Sequence, residues 1–369
     1  MEGIKQYGRY YELNFDDIFQ IKIDLNKSNR NEYIIMNLLN TGGTINPLDC
    51  SLIYSNRSNQ SNVDFGSKIK LSSYKKVSAP SSTQFNITNP DDSVDTYTYN
   101  SSLGKFENKE KHLTATAEKD YDLNITSVAL LTLDGCEMDL DVNKNYPTLI
   151  SKGSKQTTFL TSDSISEINN GVVDKLTFTK TNGLVTKISW LKNSVEIYRV
   201  NLVYTSSSLT GITIYRVATS GTVQLKNYTL SYSNGITITN VVSGEVVNVL
   251  PSTSTTTITR TRGSISLTET ISYGSYETTL TDALGLKTYY VYDNNDRIVN
   301  IIDSSNRVTY TKYDDYLLLE ESKPINIKEQ TSKSLLTNGF FTNGLNGWTS
   351  SYGSCAVETN RTNSSKYLY

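Results

Sequence analysis

The stretch "YYVYDNNDRIVNIIDSSNRVTYTKYDDY", residues 289–316, decides how the chain is read. A Tyr-Asp pair stands at Tyr292-Asp293 and returns at Tyr313-Asp314. Aligned with itself and with the residues just before it, the segment has a period of 21: Asp282 with Asp303, Gly285 with Asn306, Thr288 with Thr309, Tyr292 with Tyr313 and Asp293 with Asp314. A period of this size marks one supersecondary unit stacked on copies of itself, none of which buries its apolar face alone. The predicted unit is a strand, a tight turn and a return strand. "DALG", "DNND" and "DSSN" put Gly, Asp and Asn where a turn needs positive φ. Tyr alternating with Thr and Val sets rings along one face. An Asp directly after the Tyr can accept the amides of the turn that follows.

Upstream, nearly every segment alternates with a period of two and is punctuated by Gly, Asn or Asp, the pattern of short antiparallel strands. Asn182-Gly183 and Asn234-Gly235 each sit between alternating runs and predict two-residue hairpin turns. No window carries apolar residues at helical spacing behind a cap, so the chain reads as all-β. The stretch 145–170 is more broken, and 78–95, with Pro80 and Pro90, reads as a long loop or a frayed edge. Tyr outnumbers Phe by 26 to 9 beside abundant Thr, Val and Ile, a bias that suits pleated, half-wet surfaces.

Lys+Arg 35 against Asp+Glu 37 leaves no net field to gather nucleic acid or anionic lipid. No apolar run is long enough to span a bilayer, and the N-terminus lacks the pattern of a secretory signal. Cys50, Cys136 and Cys355, odd in number and far apart, form neither a disulfide framework nor a zinc ribbon. Asp139, Asp141 and Asn143 have calcium-loop spacing, but Lys144 and Ile150 stand where that loop wants Gly and Glu, so a solvated hairpin is expected. His112, the lone histidine, lies among charges and carries no nucleophile motif. "RTRGS" (260–264) is too short a basic cluster for nucleic acid. No cofactor and no metal are expected.

The segment 285–314 resembles the rearrangement-hotspot, or YD, repeat, whose pattern runs G-x-x-x-x-Y-x-Y-D-x-x-G-R-L followed by a second D-x-x-G. Gly285, Tyr290, Tyr292, Asp293, Arg297 and Ile298 fall on it, while Asp296 and Asn306 replace two glycines with residues that still visit the left-handed region. Residues 42–77 resemble the opening segment of such bacterial proteins, "P-V-S-L-x-Y-N-S" leading to "F-G-x-G-W": Pro47, Leu52, Tyr54, Ser55, Phe65 and Gly66 match, and Lys68-Ile69 stands where Gly-Trp is expected. "NLVYTSSSLTGITI" (201–214) resembles a degenerate copy that keeps Leu209 and Ile212. The resemblance implies a long antiparallel strip of stacked hairpins spiralling into a shell, extracellular or on the cell surface, that encloses or displays downstream domains of the same polypeptide. In some members a segment with catalytic aspartates cleaves the chain; no such segment is found here, and a non-enzymatic role is expected.

The expected organisation is N-terminal strands over 1–40, a divergent hairpin region over 41–272, two recognisable repeats over 273–319, and a linker over 320–333 marked by Pro324. Residues 334–369 resemble the opening of a galactose-binding-like jelly roll, carried by Asn338, Gly339, Phe341, Gly344, Leu345 and Trp348. Only a truncated start of that sandwich is present, and Trp348 reads as core. The expected function is a structural scaffold; the alternatives are an adhesin binding cell-wall or surface glycans in which the repeats are a spacer and, third, a glycan-processing or self-cleaving enzyme.

Overall fold

The computed structural model describes residues 10–25, 31–39, 50–56, 58, 64–109, 111, 113–132, 135–152, 155–161, 163–169, 172–295, 297–313, 318–321, 325–326, 357–359 and 366–368. Among these the structure is all-β, without a helix. His112, Asp296, Asp314 and the residues that carry the jelly-roll resemblance, Trp348 included, lie outside them.

Strands Tyr10–Asn14, Phe19–Asp24, Glu32–Leu39, Cys50–Ser55 and Ile69–Leu71 form one antiparallel sheet in chain order. From Lys76–Ser81 to Ile325–Asn326 the chain then builds a second sheet of twenty-five strands, each paired with its sequence neighbours until Arg307–Tyr313, which pairs with both Leu318–Glu321 and Ile325–Asn326. This strip curls. Bulges recur near its turns, between Thr179 and Lys180, Val203 and Tyr204, Val291 and Tyr292, and Lys312 and Tyr313. A bulge adds a residue on one side of a ladder and sharpens its twist, so repeated bulges roll a long sheet instead of leaving it flat.

The five-stranded sheet packs on the concave face of the curl, and the buried side chains of both sheets form one core. Alternation, reset by one residue at each bulge, decides which residues enter it: with Thr186 and Thr210 as the extra residues, Leu184–Lys192 turns in both Val185 and Ile188, and Ser208–Ala218 both Leu209 and Ile212, all fully buried. From the inner sheet come Phe19, Ile21, Ile34 and Leu52. Phe19 meets Tyr228 edge to face at 4.8 Å and Phe65 meets Phe178 at 5.7 Å.

The turn at Asn182-Gly183 has the two residues predicted, both at positive φ (52° and 81°) between Thr181 and Leu184. The other hairpin differs: Ser231 pairs with Thr237, so the loop is longer than two residues. The cause is Tyr232, whose hydroxyl donates to the carbonyl of Leu209 at 2.8 Å and holds the loop inward. Residues 78–95 also differ from expectation, because strands run through Ser81, Gln84–Thr88 and from Val94 onward. Pro80 sits in the register shift between Ser78 and Ser81, where its missing N–H breaks no ladder bond, and Pro90 sits in the Asn89–Ser93 turn. The broken stretch 145–170 likewise forms three paired strands, Pro147–Lys152, Lys155–Thr161 and Ser164–Asn169.

Candidate functional site: the repeat turns and the buried seam

The repeat aspartates among the described residues, Asp282, Asp293 and Asp303, make the same turn. The Asp282 amide donates to Leu286 O (2.9 Å) and the Gly285 amide to Asp282 O (3.0 Å), closing a five-residue loop with Gly285 at φ 80°. Asp282 Oδ1 accepts the amides of Leu284 and Leu286 at 2.9 and 2.8 Å. Asp303 repeats this with Ser305 and Arg307, both at 2.9 Å, and Asn306 takes the glycine's place at φ 58°. Asp293 repeats it with Asn295 and Arg297, again at 2.9 Å. In the last two the second carboxylate oxygen accepts Arg Nε, from Arg307 at 2.7 Å and from Arg297 at 2.9 Å. The arginine after the turn thus neutralises the aspartate before it.

The same turn recurs far from the legible repeats. Asp120 accepts the amides of Asp122 and Asn124, with Leu123 at φ 65°. Thr132 accepts the Cys136 amide through its hydroxyl, with Gly135 at φ 78°. Asn124 side-chain and backbone bonds hold the Asp120 carboxyl below the usual range. At Asp303, burial alone would raise the carboxyl, but the Arg307 and Ser305 bonds outweigh it and hold it low. A carboxylate whose oxygens are aimed at turn amides and, at Asp293 and Asp303, also at a guanidinium is held in place as part of the turn.

The tyrosines occupy the other side of the turn. Tyr292, at its bulge, donates to Leu25 O of the inner sheet at 2.7 Å, and Thr278 donates to the same carbonyl at 2.5 Å. Tyr290 packs against the common core, while Tyr313 lies in a strand of the same sheet, two strands on. Upstream, Tyr204 donates to Val185 O at 2.9 Å, and Tyr232 does the same to Leu209 O. Val185 and Leu209 hold equivalent places, as do Thr186 and Thr210, whose hydroxyls donate to Thr179 O and Val203 O, both at 3.3 Å. In this alignment Lys180 replaces Tyr204, and its Nζ reaches Asp64 at 3.0 Å. Burial pushes these phenols above their ordinary range, Tyr54 to about 12 with a further push from Glu32.

The opening motif closes on the same seam. Phe65 is buried, and a Cβ on Gly66 (φ 95°) would lie 2.5 Å from Ser207 O. Lys68 has φ 63° and Ile69 is fully buried.

A second polar cluster, not foreseen from sequence, lies where the loop 89–93 meets the inner sheet. Lys70, fully buried, pairs with Asp92 and stands 5.0 Å over the Tyr74 ring. Lys75 is buried and donates to the Asn89 side chain; burial lowers its pKa to about 8. Asn89 Nδ2 in turn donates to Asp95 Oδ2 at 3.0 Å, and Asp95 pairs with Lys111 at 2.5 Å. Spacing could not reveal it, since the partners come from two strands (Lys70 and Asp95) and three separate connections (Tyr74 and Lys75, Asn89 and Asp92, and Lys111). Asp139 and Asp141 lie on the strand Glu137–Asp141 of a hairpin, with the Asn143 amide donating to Asp141 Oδ1 at 2.8 Å. Among the described residues no group of three or more His, Cys, Asp or Glu is arranged to hold a metal, and no helix is long and apolar enough to cross a membrane. An open cleft of about 320 Å³ lies between Asp17, Leu38 and the stacked rings of Trp190 and Tyr198, 5.4 Å apart.

No protein-family model matches the chain, and no curated protein does. Among solved structures, it is similar to a Tc holotoxin pore from Photorhabdus luminescens carrying a substitution in its TccC3 component. That likeness has 10% identity and a TM-score of 0.23, covering 87% of this chain and 21% of that one. The chain therefore spans about a fifth of the neighbour's length, at a score too low to define a shared fold.

Proposed function

We propose that the chain is a structural scaffold: part of a larger secreted or surface-exposed repeat protein, whose curled strip displays the domains that follow it. The observation that carries this reading is the repeated turn, in which Asp282, Asp293 and Asp303 each direct carboxylate oxygens to turn amides. The polar residues a reader would choose for chemistry thus serve the backbone. Display is favoured over enclosure because the concave face is already covered by the chain's own N-terminal sheet, with Leu25 O bonded to Tyr292 and Asp24 O to Tyr273.

The test is a fusion of the full chain to a folded reporter after Tyr369, joined through a protease site. Cleavage at the rate of the free reporter, with the strip left intact, is the expected result. Protection of the reporter would overturn display, and digestion of the strip alongside it would overturn the scaffold role.

A further inference from the structure

In an antiparallel strip, successive turns fall alternately on its two edges. The hairpins that turn after Lys192, Ala218, Asn240, Arg262 and Thr281 are therefore five in a row on one edge. The intervening turns, at 206–207, 232–235, 252–254, 274–276 and 293–296, are on the other and consist of Ser, Thr, Asn, Asp, Gly and Tyr. The first edge has a different chemistry. Each of its hairpins presents an exposed aliphatic side chain: Val195, Val223, Val242 (72% exposed), Ile265 (66%) and Leu284 (83%). Its tip segments, 193–195, 217–225, 241–245, 263–268 and 282–286, contain no aromatic ring, and their only charged residues are Glu245 and Asp282 at the ends of two turns.

Two of these hairpins project beyond the core, since residues 221–225 and 265–268 are exposed on both faces. Four have an exposed cation at or near the base, Lys192, Arg216, Arg262 and Lys287. Of the acids at this edge, Glu196 pairs with Arg199 and Glu245 with Arg260, while Asp282, bonded to neutral amides of its own turn, and Asp174, opposite Lys192 and bonded to Trp190, keep their charge, two against the four cations. The free charge of the edge is therefore positive, a local collar that the chain's net charge of -2 conceals. With strands about 4.8 Å apart, neighbouring tips are about 10 Å apart and the row spans about 40 Å.

We propose that this edge docks on an anionic lipid bilayer, with the aliphatic tips entering the headgroup boundary and the cations meeting lipid phosphate and carboxylate. Apolar insertion combined with a basic collar is the physical basis of interfacial membrane binding. A protein partner fits less well, because the aromatic anchors that dominate protein interfaces are missing from these tips, which have none of the chain's 26 tyrosines.

Sedimentation of the full chain with vesicles of equal parts phosphatidylcholine and phosphatidylserine, and with phosphatidylcholine alone, tests this. The expected result is salt-sensitive binding to the anionic vesicles. Val242→Ser, Ile265→Ser and Leu284→Ser should each weaken it about tenfold, and Lys192→Gln and Lys287→Gln about fivefold each, on the anionic vesicles only. The proposal is overturned if the unmodified chain fails to sediment with anionic vesicles, or if the triple serine variant binds as well as the unmodified chain. It is equally overturned if sedimentation velocity shows self-association that the triple variant abolishes, which would make the edge a contact between copies.

Discussion

Lys75 offers the sharpest test of how the inner sheet and the strip are joined. Its ammonium is buried beside Asn89, with Asp91 and Asp95 raising its pKa and Lys111 lowering it. Burial dominates and brings the pKa from 10.5 to about 8. The folded value lies below the unfolded one, so the unfolded chain binds this proton more tightly. Charging Lys75 therefore costs stability in full below about pH 8, and the cost fades as pH rises toward 10.5. The gap at about 1.36 kcal/mol per unit amounts to about 3 kcal/mol at pH 7. About 2 kcal/mol of it should be recovered by pH 9.5. Lys75→Met removes the titration and keeps most of the stem, while leaving the Asn89 oxygen without its donor. The informative quantity is thus the change with pH and not the difference at one pH. Urea unfolding of both proteins at pH 7, 8.5 and 9.5 should show the unmodified chain gaining about 2 kcal/mol on the variant. The buried tyrosines, whose raised values withdraw stability above about pH 10, cancel in this comparison. Parallel pH curves for the two proteins would refute the reasoning, because they would mean that Lys75 carries its charge in the fold without penalty.

Gly235→Ala should lower stability by about 2–4 kcal/mol, seen as a fall in thermal midpoint: φ is 149° and a Cβ would lie 2.2 Å from Val249 O. Gly183→Ala, in open space at φ 81°, should cost only about 1 kcal/mol. Asp293→Ala removes the acceptor of two turn amides and the partner of Arg297. It should cost about 1–2 kcal/mol by urea unfolding, as loss of a capping side chain does.

How much of this was legible in the sequence follows from how local each signal is. The Asp turn needs only five consecutive residues, so Asp282, Asp293 and Asp303 could be read directly, and the left-handed place of Asn306 followed from its residue type. The same locality made Asn182-Gly183 readable. Tyr232 could not be read as a loop anchor, because its partner carbonyl at Leu209 is 23 residues away and is set by how one hairpin stacks on another. Lys180 in the place of Tyr204 hides the upstream period, since a lysine reaching an aspartate does by charge what the phenol does by hydrogen bonding. Pro80 misled because a proline weakens a strand only where the ladder needs its N–H, and pairing registers are invisible in composition. The packing of residues 10–71 against strands two hundred residues onward left no local trace at all. It shows only as contacts such as Tyr11 with Glu269 and Asp16 with Tyr228.

That packing bears on how the molecule is made. A ribosome delivers residues 10–71 before any strand of the strip exists, and N-terminal units fold first. Because the two sheets share one core, that first segment is completed only as the later hairpins, emerging in order, each roof one more section of its apolar surface. The closures that need the latest strands, Leu25 to Thr278 and Tyr292, come last, when the intervening chain is already wound. The entropy of bringing such distant residues together is therefore met in small steps along synthesis, and a refolding experiment that starts from the whole denatured chain should be much slower than biosynthesis.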